Sequence, residues 1–181
     1  MARRICIVGN SGSGKTHLAR RVAARLALPH VELDAINHRP GWTEAPVVEF
    51  RSEVRQILDR HVAAHAGWVV DGNYRSRIAD VLDPELYVWL DYPRSVVVPR
   101  IIRRTLGRVV LRRELWNGNR ERWSSLVKRR PEENIVLWSL TQHASYRRRY
   151  EAASTSDEGA MWMRLRSPRE AERWLATLAP E

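Results

Sequence analysis

Residues 9–16 read Gly9-Asn10-Ser11-Gly12-Ser13-Gly14-Lys15-Thr16, a glycine-rich turn between two apolar patterns. The run at residues 5–8 before it is typical of a buried parallel strand, and apolar residues recur at helical spacing from Leu18 to Leu26 after it. Between a strand and a helix, the pattern G-x-x-x-x-G-K-[ST] directs backbone N–H groups and the positive end of the helix dipole at one point. We therefore assign all eight residues to the binding of nucleotide phosphates.

Two side chains of the turn have specific predicted roles. Lys15 would reach the β- and γ-phosphates, and the Thr16 hydroxyl would hold Mg²⁺. Only two of the 31 basic residues are lysines, Lys15 and Lys128, so a chain that otherwise uses arginine has a compact ammonium at this position. A plain strand-to-helix connection is the alternative reading of the turn.

Composition limits the kind of protein this is. A length of 181 residues with 44% hydrophobic content predicts one domain with a sizeable core, residues 1–181. No apolar run approaches the ~20 residues of a membrane span, so we expect a cytoplasmic protein that does not enter a membrane. A single cysteine, Cys6, excludes an intramolecular disulfide framework and any multi-cysteine metal site.

The net charge of +10 is concentrated in one segment. Residues 100–130 contain ten Arg and one Lys against two Glu, which is a local net charge of +9. Such a segment is typical of nucleic-acid binding, and equally of a lid that closes over a triphosphate.

Strand and helix patterns alternate along the chain. Strands are predicted at residues 5–8, 30–33, 68–70, 86–90 and 161–165, and helices at about 15–26, 46–65, 76–82, 95–111, 131–153 and after Ser167-Pro168. Residues 35–45 are predicted to be a loop, and about 112–130 a mobile excursion with weak periodicity. This alternation predicts a mainly parallel, doubly wound sheet of five strands, with ligands beyond the carboxyl ends of the strands. The turn, Asp34, Asp71 and Asp91-Tyr92 all fall at that edge.

Several segments resemble known proteins. The phosphate turn, Asp71-Gly72-Asn73-Tyr74-Arg75 and the arginine-rich helix resemble the adenylate-kinase branch of P-loop kinases. Further segments resemble a bacterial group labelled topology-modulation or adenylate-kinase-related proteins: Leu33-Asp34-Ala35, Pro40-Gly41-Trp42, Leu90-Asp91-Tyr92-Pro93-Arg94 and Trp116-Asn117-Gly118-Asn119-Arg120-Glu121. The resemblance implies a three-layer α/β/α P-loop NTPase fold of the adenylate/shikimate-kinase kind. It also implies a helical acceptor-binding insertion at about 34–66 and an arginine-rich lid at about 112–130.

The resemblance also implies roles for individual residues. Asp71 would serve the Mg²⁺ ion and Arg75 the phosphate of an acceptor, although Asn73-Tyr74 replaces the Phe-Pro of adenylate kinases. Arg100 and Arg104 match the pair that contacts phosphates at the base of the lid, and Arg104 is assigned to the nucleotide as well. Arg120 and Arg122 are candidates for the tip of the lid.

Asp34 departs from the adenylate-kinase pattern. A monophosphate acceptor needs no base, whereas the proton of an acceptor hydroxyl must leave, and enzymes similar to shikimate and gluconate kinases keep an acceptor-binding acid after strand two. Asp34 is therefore a candidate base or orienting group, with a helix cap or an Mg²⁺-associated carboxylate as the alternatives. Tyr74, His38 and Trp42 would lie near the acceptor, with solvated loop residues as the other reading of the last two.

Two functions fit these residues. The first is an ATP-dependent phosphotransferase that moves the γ-phosphoryl of Mg-ATP to a small acceptor, either an alcohol or a nucleoside monophosphate. The second is a nucleotide-binding regulator or nucleic-acid-associated ATPase that uses the basic segment at 100–130.

Overall fold

The computed structural model describes residues 2–121, 134–156 and 159–178. Within them, five strands form one parallel sheet in the order β2-β3-β1-β4-β5. The strands are β1 (Arg4–Gly9), β2 (His30–Glu32), β3 (Trp68–Asp71), β4 (Leu86–Leu90) and β5 (Met161–Leu165). The helices are α1 (Lys15–Arg25), α2 (Leu33–Asn37), α3 (Val47–His65), α4 (Arg75–Ile78), α5 (Arg94–Val110), α6 (Ile135–Ser156) and α7 (Pro168–Thr177). The predicted parallel α/β sheet is confirmed.

Helices cover both faces of the sheet. Along β1, Ile5 and Ile7 face one core together with residues of α1, α5 and α7. The intervening Cys6 and Val8 face a second core with residues of α3 and α6. Because both faces are covered, β1 reads as a continuous apolar run and not as an alternating one.

The register of the strands places the chemistry at one edge. Glu32 at the end of β2 pairs with Asp71 at the end of β3, and Asp71 pairs with Ile7 of β1. Gly9, at the end of β1, pairs with Leu90 of β4. The carboxylates and the glycine-rich turn therefore meet where the strands end.

The segment after β2 differs from its prediction. β2 ends at Glu32, and Leu33–Asn37 form the short helix α2 where the sequence suggested a strand end and a loop. A five-residue helix is too short to produce a helical period, and Leu33 is buried like a strand residue. Asp34 consequently lies in the first turn of α2. Residues Pro40–Trp42 then form a 3₁₀ turn.

The arginine-rich excursion is described up to residue 121. Its described part contains a 3₁₀ turn at Trp116–Gly118, closed by a bridge between Glu114 and Arg120. Residues 122–130 of the predicted lid, with Arg122, and the predicted helix start at Pro131 lie outside the described residues. None of the described helices is long and apolar enough to cross a bilayer.

Candidate active site

The glycine-rich turn is open to an anion. Gly14, with φ of 94°, precedes α1, and neither a side-chain cap nor an acidic residue occupies the first turn of that helix. The N–H groups at the start of α1 therefore have no side-chain acceptor, and a phosphate fits there. At Gly9, with φ of 147°, a Cβ atom would lie 2.7 Å from the carbonyl oxygen of Leu90, so this position requires glycine.

Cationic side chains surround the turn. Lys15 donates to the carbonyl of Asn10 at 3.4 Å, and Arg100 donates to the carbonyl of Ser13 at 3.3 Å. Burial lowers the pKa of Lys15, and the charge of Arg104 lowers it further, while Asp34 and Asp71 raise it. These positive charges, brought together by α1 and α5, favour the binding of an anion.

Arg104 lies inside this arrangement. Burial lowers the pKa of its guanidinium, with a further contribution from Arg108, while Glu121 and Asp34 oppose the shift. Its Nε atom is buried and has no hydrogen-bond partner among the described residues. A buried donor that lacks a protein acceptor is suited to a ligand oxygen.

Two carboxylates lie next to the hydroxyl of Thr16. Its hydroxyl donates to Asp71 at 3.1 Å and lies 3.5 Å from a carboxylate oxygen of Glu32. The second oxygen of Asp71 lies 2.8 Å from Nε2 of His30, which fixes the orientation of this buried carboxylate. Burial, and then the charge of Asp71, raise the pKa of Glu32.

This donor set fits Mg²⁺ bound together with a nucleotide. A hydroxyl and carboxylates are the hard oxygen ligands that Mg²⁺ takes, and a cation would relieve the repulsion between Glu32 and Asp71. In the described ranges, no three His, Cys, Asp or Glu side chains are arranged to hold a metal ion by themselves. Thr16 and Asp71 would therefore supply part of a shell that nucleotide oxygens and water complete.

Asp34 and Tyr74, both predicted to lie near an acceptor, contact each other. The Tyr74 hydroxyl donates to Asp34 Oδ1 at 2.8 Å and lies 3.5 Å from Nε2 of His38. Burial, followed by the charge of Asp34, raises the pKa of Tyr74, so its hydroxyl stays protonated and acts as a donor. Tyr74 thus orients the carboxylate through one of its oxygens.

An aromatic cluster joins the insertion to the excursion. His38 stacks on Trp116 with ring centroids 5.6 Å apart, and Trp42 contacts His38 edge-on at 5.4 Å. The rings of Trp116 and Trp42 also lie edge to face, 6.3 Å apart. Trp116 therefore packs against the insertion.

Several predicted residues contact other protein groups. The guanidinium of Arg75 lies over the ring of Tyr87, on β4, at 5.7 Å. The carboxylate of Asp91, at the end of β4, binds Arg164 at 2.6 Å and Arg147 at 3.2 Å, an ion-pair cluster that accounts for it structurally. Arg120 pairs with Glu114 at 3.3 Å.

Several residues of the site were not predicted from the sequence. Glu32 could have been found, because it is a carboxylate at the carboxyl end of a predicted strand beside Asp34. His30, Asn73 and Asn119 could not, since each acts through contacts with residues at least 41 positions away. Such pairings leave no pattern in one sequence.

The chain is similar to several known kinases. No protein-family model matches it. A stretch of 117 residues is 32% identical to a shikimate kinase of Bradyrhizobium diazoefficiens, and it covers 57% of this chain and 55% of that protein. The chain thus matches only about half the length of this relative.

Two solved structures resemble the chain along nearly its whole length. An unliganded sugar kinase from Janibacter sp. HTCC2649 has a TM-score of 0.54 and 20% identity, with 100% of both chains covered. A gluconokinase from Sinorhizobium meliloti 1021 has a TM-score of 0.50 and 19% identity, with 98% of this chain and 93% of that chain covered. These similarities, with the parallel sheet and its glycine-rich turn, establish the P-loop NTPase fold.

Proposed function

We propose that this protein is an ATP-dependent phosphotransferase that moves the γ-phosphoryl group of Mg-ATP to a hydroxyl of a small acceptor. The observation that carries the proposal is the position of Asp34. Its carboxylate is held by Tyr74 and lies within electrostatic reach of both Lys15 and Arg104. An enzyme that only hydrolysed ATP would not require this acceptor equipment. The similarity to three proteins named as kinases supports the same reaction class.

Charge neutralisation is the first part of the proposed mechanism. The amides of residues 9–16, Lys15, Arg100 and Arg104 would bind the phosphate oxygens and stabilise the charge of the transferring group. Thr16 and Asp71 would hold Mg²⁺, which would further neutralise the negative charge of the phosphates. Because these groups are oriented in the protein before ligand binds, they need little rearrangement during the reaction.

Asp34 would act on the acceptor. As the acceptor oxygen bonds to the γ-phosphorus and the bond from that phosphorus to the bridging oxygen of ADP breaks, the hydroxyl proton passes to Asp34. Tyr74 keeps the carboxylate oriented through its hydroxyl at 2.8 Å. A nucleoside monophosphate, as implied by the resemblance to adenylate-kinase-related proteins, is the alternative acceptor and needs no such base. Arg75 stays a prediction for binding an acceptor phosphate.

A panel of acceptors tests the proposal. ADP release is measured with nucleoside monophosphates, nucleosides, sugars and small hydroxy acids, for the wild type, Lys15→Met and Asp34→Asn. We expect a hydroxyl compound to stimulate release in the wild type and Lys15→Met to abolish turnover. Asp34→Asn should lose transfer, by about 10²–10⁴-fold for a lost general base, while it still binds ADP in calorimetry.

Two outcomes would contradict the proposal. Full turnover by Lys15→Met would contradict the assignment of residues 9–16 to phosphate binding. Wild-type transfer by Asp34→Asn would remove the base, and stimulation by monophosphates alone would favour the adenylate-kinase-like reaction instead.

A further inference from the structure

Asn73 contacts the phosphate loop through both ends of its side-chain amide. Its Nδ2 group donates to the carbonyl of Gly9 at 2.8 Å, and its Oδ1 accepts from the N–H of Gly9 at 3.2 Å. The two residues are 64 positions apart in the chain, and Asn73 closely follows the end of β3. The first residue of the loop is thus held by both of its backbone polar groups.

Helix α6 holds Asn73 in turn. The hydroxyl of Tyr150 donates to Asn73 Oδ1 at 2.9 Å, and Tyr150 is 2% exposed. The rings of Tyr146 and Trp89 pack around Tyr150, with centroids 5.9 Å and 5.8 Å away. A buried tyrosine at this place fixes which end of the Asn73 amide faces Gly9 N–H.

A second contact joins α6 to the loop. Asn10 Nδ2 donates to the carbonyl and to the hydroxyl of Ser139, both at 3.0 Å, while Asn10 Oδ1 accepts from Ser11 N–H at 3.0 Å. Ser139 is 1% exposed and its hydroxyl lies 3.4 Å from the Ser11 carbonyl. These buried hydrogen bonds fix the first half of the loop.

We propose that Asn73 is a positioning residue that sets the conformation of the phosphate loop, supported from α6 by Tyr150 and, through Asn10, by Ser139. The loop amides are then already directed at the phosphate position, so a nucleotide binds without the cost of ordering them. The inference depends on the proposed function only in that the loop binds nucleotide phosphates.

Phosphate affinity tests the inference directly. Dissociation constants of ADP and of inorganic pyrophosphate are measured by calorimetry for Asn73→Ala, Tyr150→Phe and Ser139→Ala. Loss of hydrogen bonds worth about 1–1.5 kcal/mol should weaken both ligands about tenfold in Asn73→Ala. Tyr150→Phe keeps the ring in the core and should weaken them about threefold, an effect of one hydrogen bond.

A core variant separates positioning from general stability. Val54 of α3 is fully buried in the same core as Tyr150, but its side chain can form no hydrogen bond with Asn73 or the loop. Val54→Ala therefore destabilises the fold and should leave both dissociation constants unchanged. In Asn73→Ala the KM for the acceptor should also stay at its wild-type value, while the KM for ATP rises.

The outcomes distinguish this inference from the proposed function. Wild-type affinity for pyrophosphate in Asn73→Ala and Tyr150→Phe would overturn the inference, even if phosphoryl transfer is found. If Asn73→Ala does not fold, unchanged affinity in both Tyr150→Phe and Ser139→Ala overturns it. If the wild type binds ADP but phosphorylates no acceptor, the proposed function fails, and weaker binding by these variants still supports the inference.

Discussion

At the scale of single residues, Glu32 lies beside Thr16 and Asp71, the residues proposed to hold Mg²⁺. The Thr16 hydroxyl lies 3.5 Å from the Glu32 carboxylate, and Arg20 pairs with it at 3.2 Å. Burial, and then the negative charge of Asp71, raise its pKa above the ordinary value of 4.5. In the folded protein without Mg²⁺, ionising this carboxyl group therefore costs free energy, and a bound cation would remove that cost.

The raised pKa of Glu32 predicts how Glu32→Gln changes stability with pH. Because the folded state binds this proton more tightly than the unfolded state, the contribution of Glu32 is fully present below pH 4.5 and is lost as the pH rises through the folded pKa. The amide that replaces this carboxyl group in Glu32→Gln does not titrate. In Mg²⁺-free melts from pH 4 to 8, we expect the Tm of Glu32→Gln relative to the wild type to rise with pH.

The control is Glu49→Gln on α3, whose carboxylate is 64% exposed. Its Tm difference from the wild type should change little over the same pH range. A difference for Glu32→Gln that stayed constant or fell with rising pH would contradict the electrostatic account of this residue.

At the scale of elements, helix α5 packs directly on the phosphate loop. A Cβ atom on Gly12, where φ is +80°, would lie 2.7 Å from the Val97 carbonyl and would overlap the side chain of Ile101. Gly41 has a similar φ of +73° with no atom within 4 Å of its Cβ position. At both positions, the positive φ would strain any residue with a side chain. Only at Gly12 would the new Cβ atom also collide with neighbouring atoms.

This pair predicts different results for the same substitution. Gly41→Ala should lose about 1–2 kcal/mol from backbone strain alone and keep wild-type ADP affinity. Gly12→Ala adds the collision with α5, so we expect a larger fall in Tm and a loss of ADP binding. Thermal melts and calorimetry measure both. Equal effects of the two substitutions would show that packing against α5 is not what requires Gly12.

Hydrogen bonds of Asn119 join the excursion to the insertion. This residue is 4% exposed, accepts from Trp42 N–H at 2.9 Å and donates to the Arg39 carbonyl at 2.9 Å. Asn117 adds a hydrogen bond to the Ala35 carbonyl at 3.2 Å. The two segments therefore hold each other in position.

Asn119→Ala should weaken acceptor binding without weakening nucleotide binding. Two lost hydrogen bonds between the segments predict about a tenfold rise in the acceptor KM, while the ADP dissociation constant stays near its wild-type value. Steady-state kinetics with the acceptor identified in the panel and calorimetry with ADP measure the two quantities. A parallel loss of both would mean that Asn119 supports the whole fold.

Elements with a strong local pattern were predictable and those made by distant contacts were not. β4 and β5 begin and end where the sequence predicted, because a short, mainly apolar run bounded by polar or turn residues marks each strand; β4 is buried throughout, and β5 only at Leu165. Helix α2 was missed, since five residues show no period. The phosphate loop was found from its motif, whereas the bond from Asn73 to Gly9 depends on a fold that joins positions 64 apart.

At the scale of the whole molecule, the described arginines of the basic segment divide into two groups. Inward members contact protein groups or lie close to the loop: Arg100 donates to the Ser13 carbonyl, Arg104 is half-buried near Lys15, and Arg108 pairs with the mostly buried Glu121 at 2.8 Å. Exposed members are Arg103, Arg112, Arg113 and Arg120. The part of the segment next to the phosphate loop is thus turned toward it.

This division of the arginines favours a lid that closes on a triphosphate, and not a surface that binds nucleic acid. Measuring DNA binding at increasing salt concentration distinguishes the two functions. Phosphate-backbone binding would make affinity fall steeply with salt, with a logarithmic slope of about −0.9 for each phosphate neutralised. If the exposed arginines of the described part are the ones that contact a duplex, we expect weak retardation of DNA at about 50 mM salt and none at about 150 mM. Arg103→Ser with Arg112→Ser should reduce the weak binding further and keep ADP affinity. Tight DNA binding that persisted at the higher salt, and that ATP enhanced, would instead favour the nucleic-acid-associated ATPase, because the lid would then act on a polymer and not on a small acceptor.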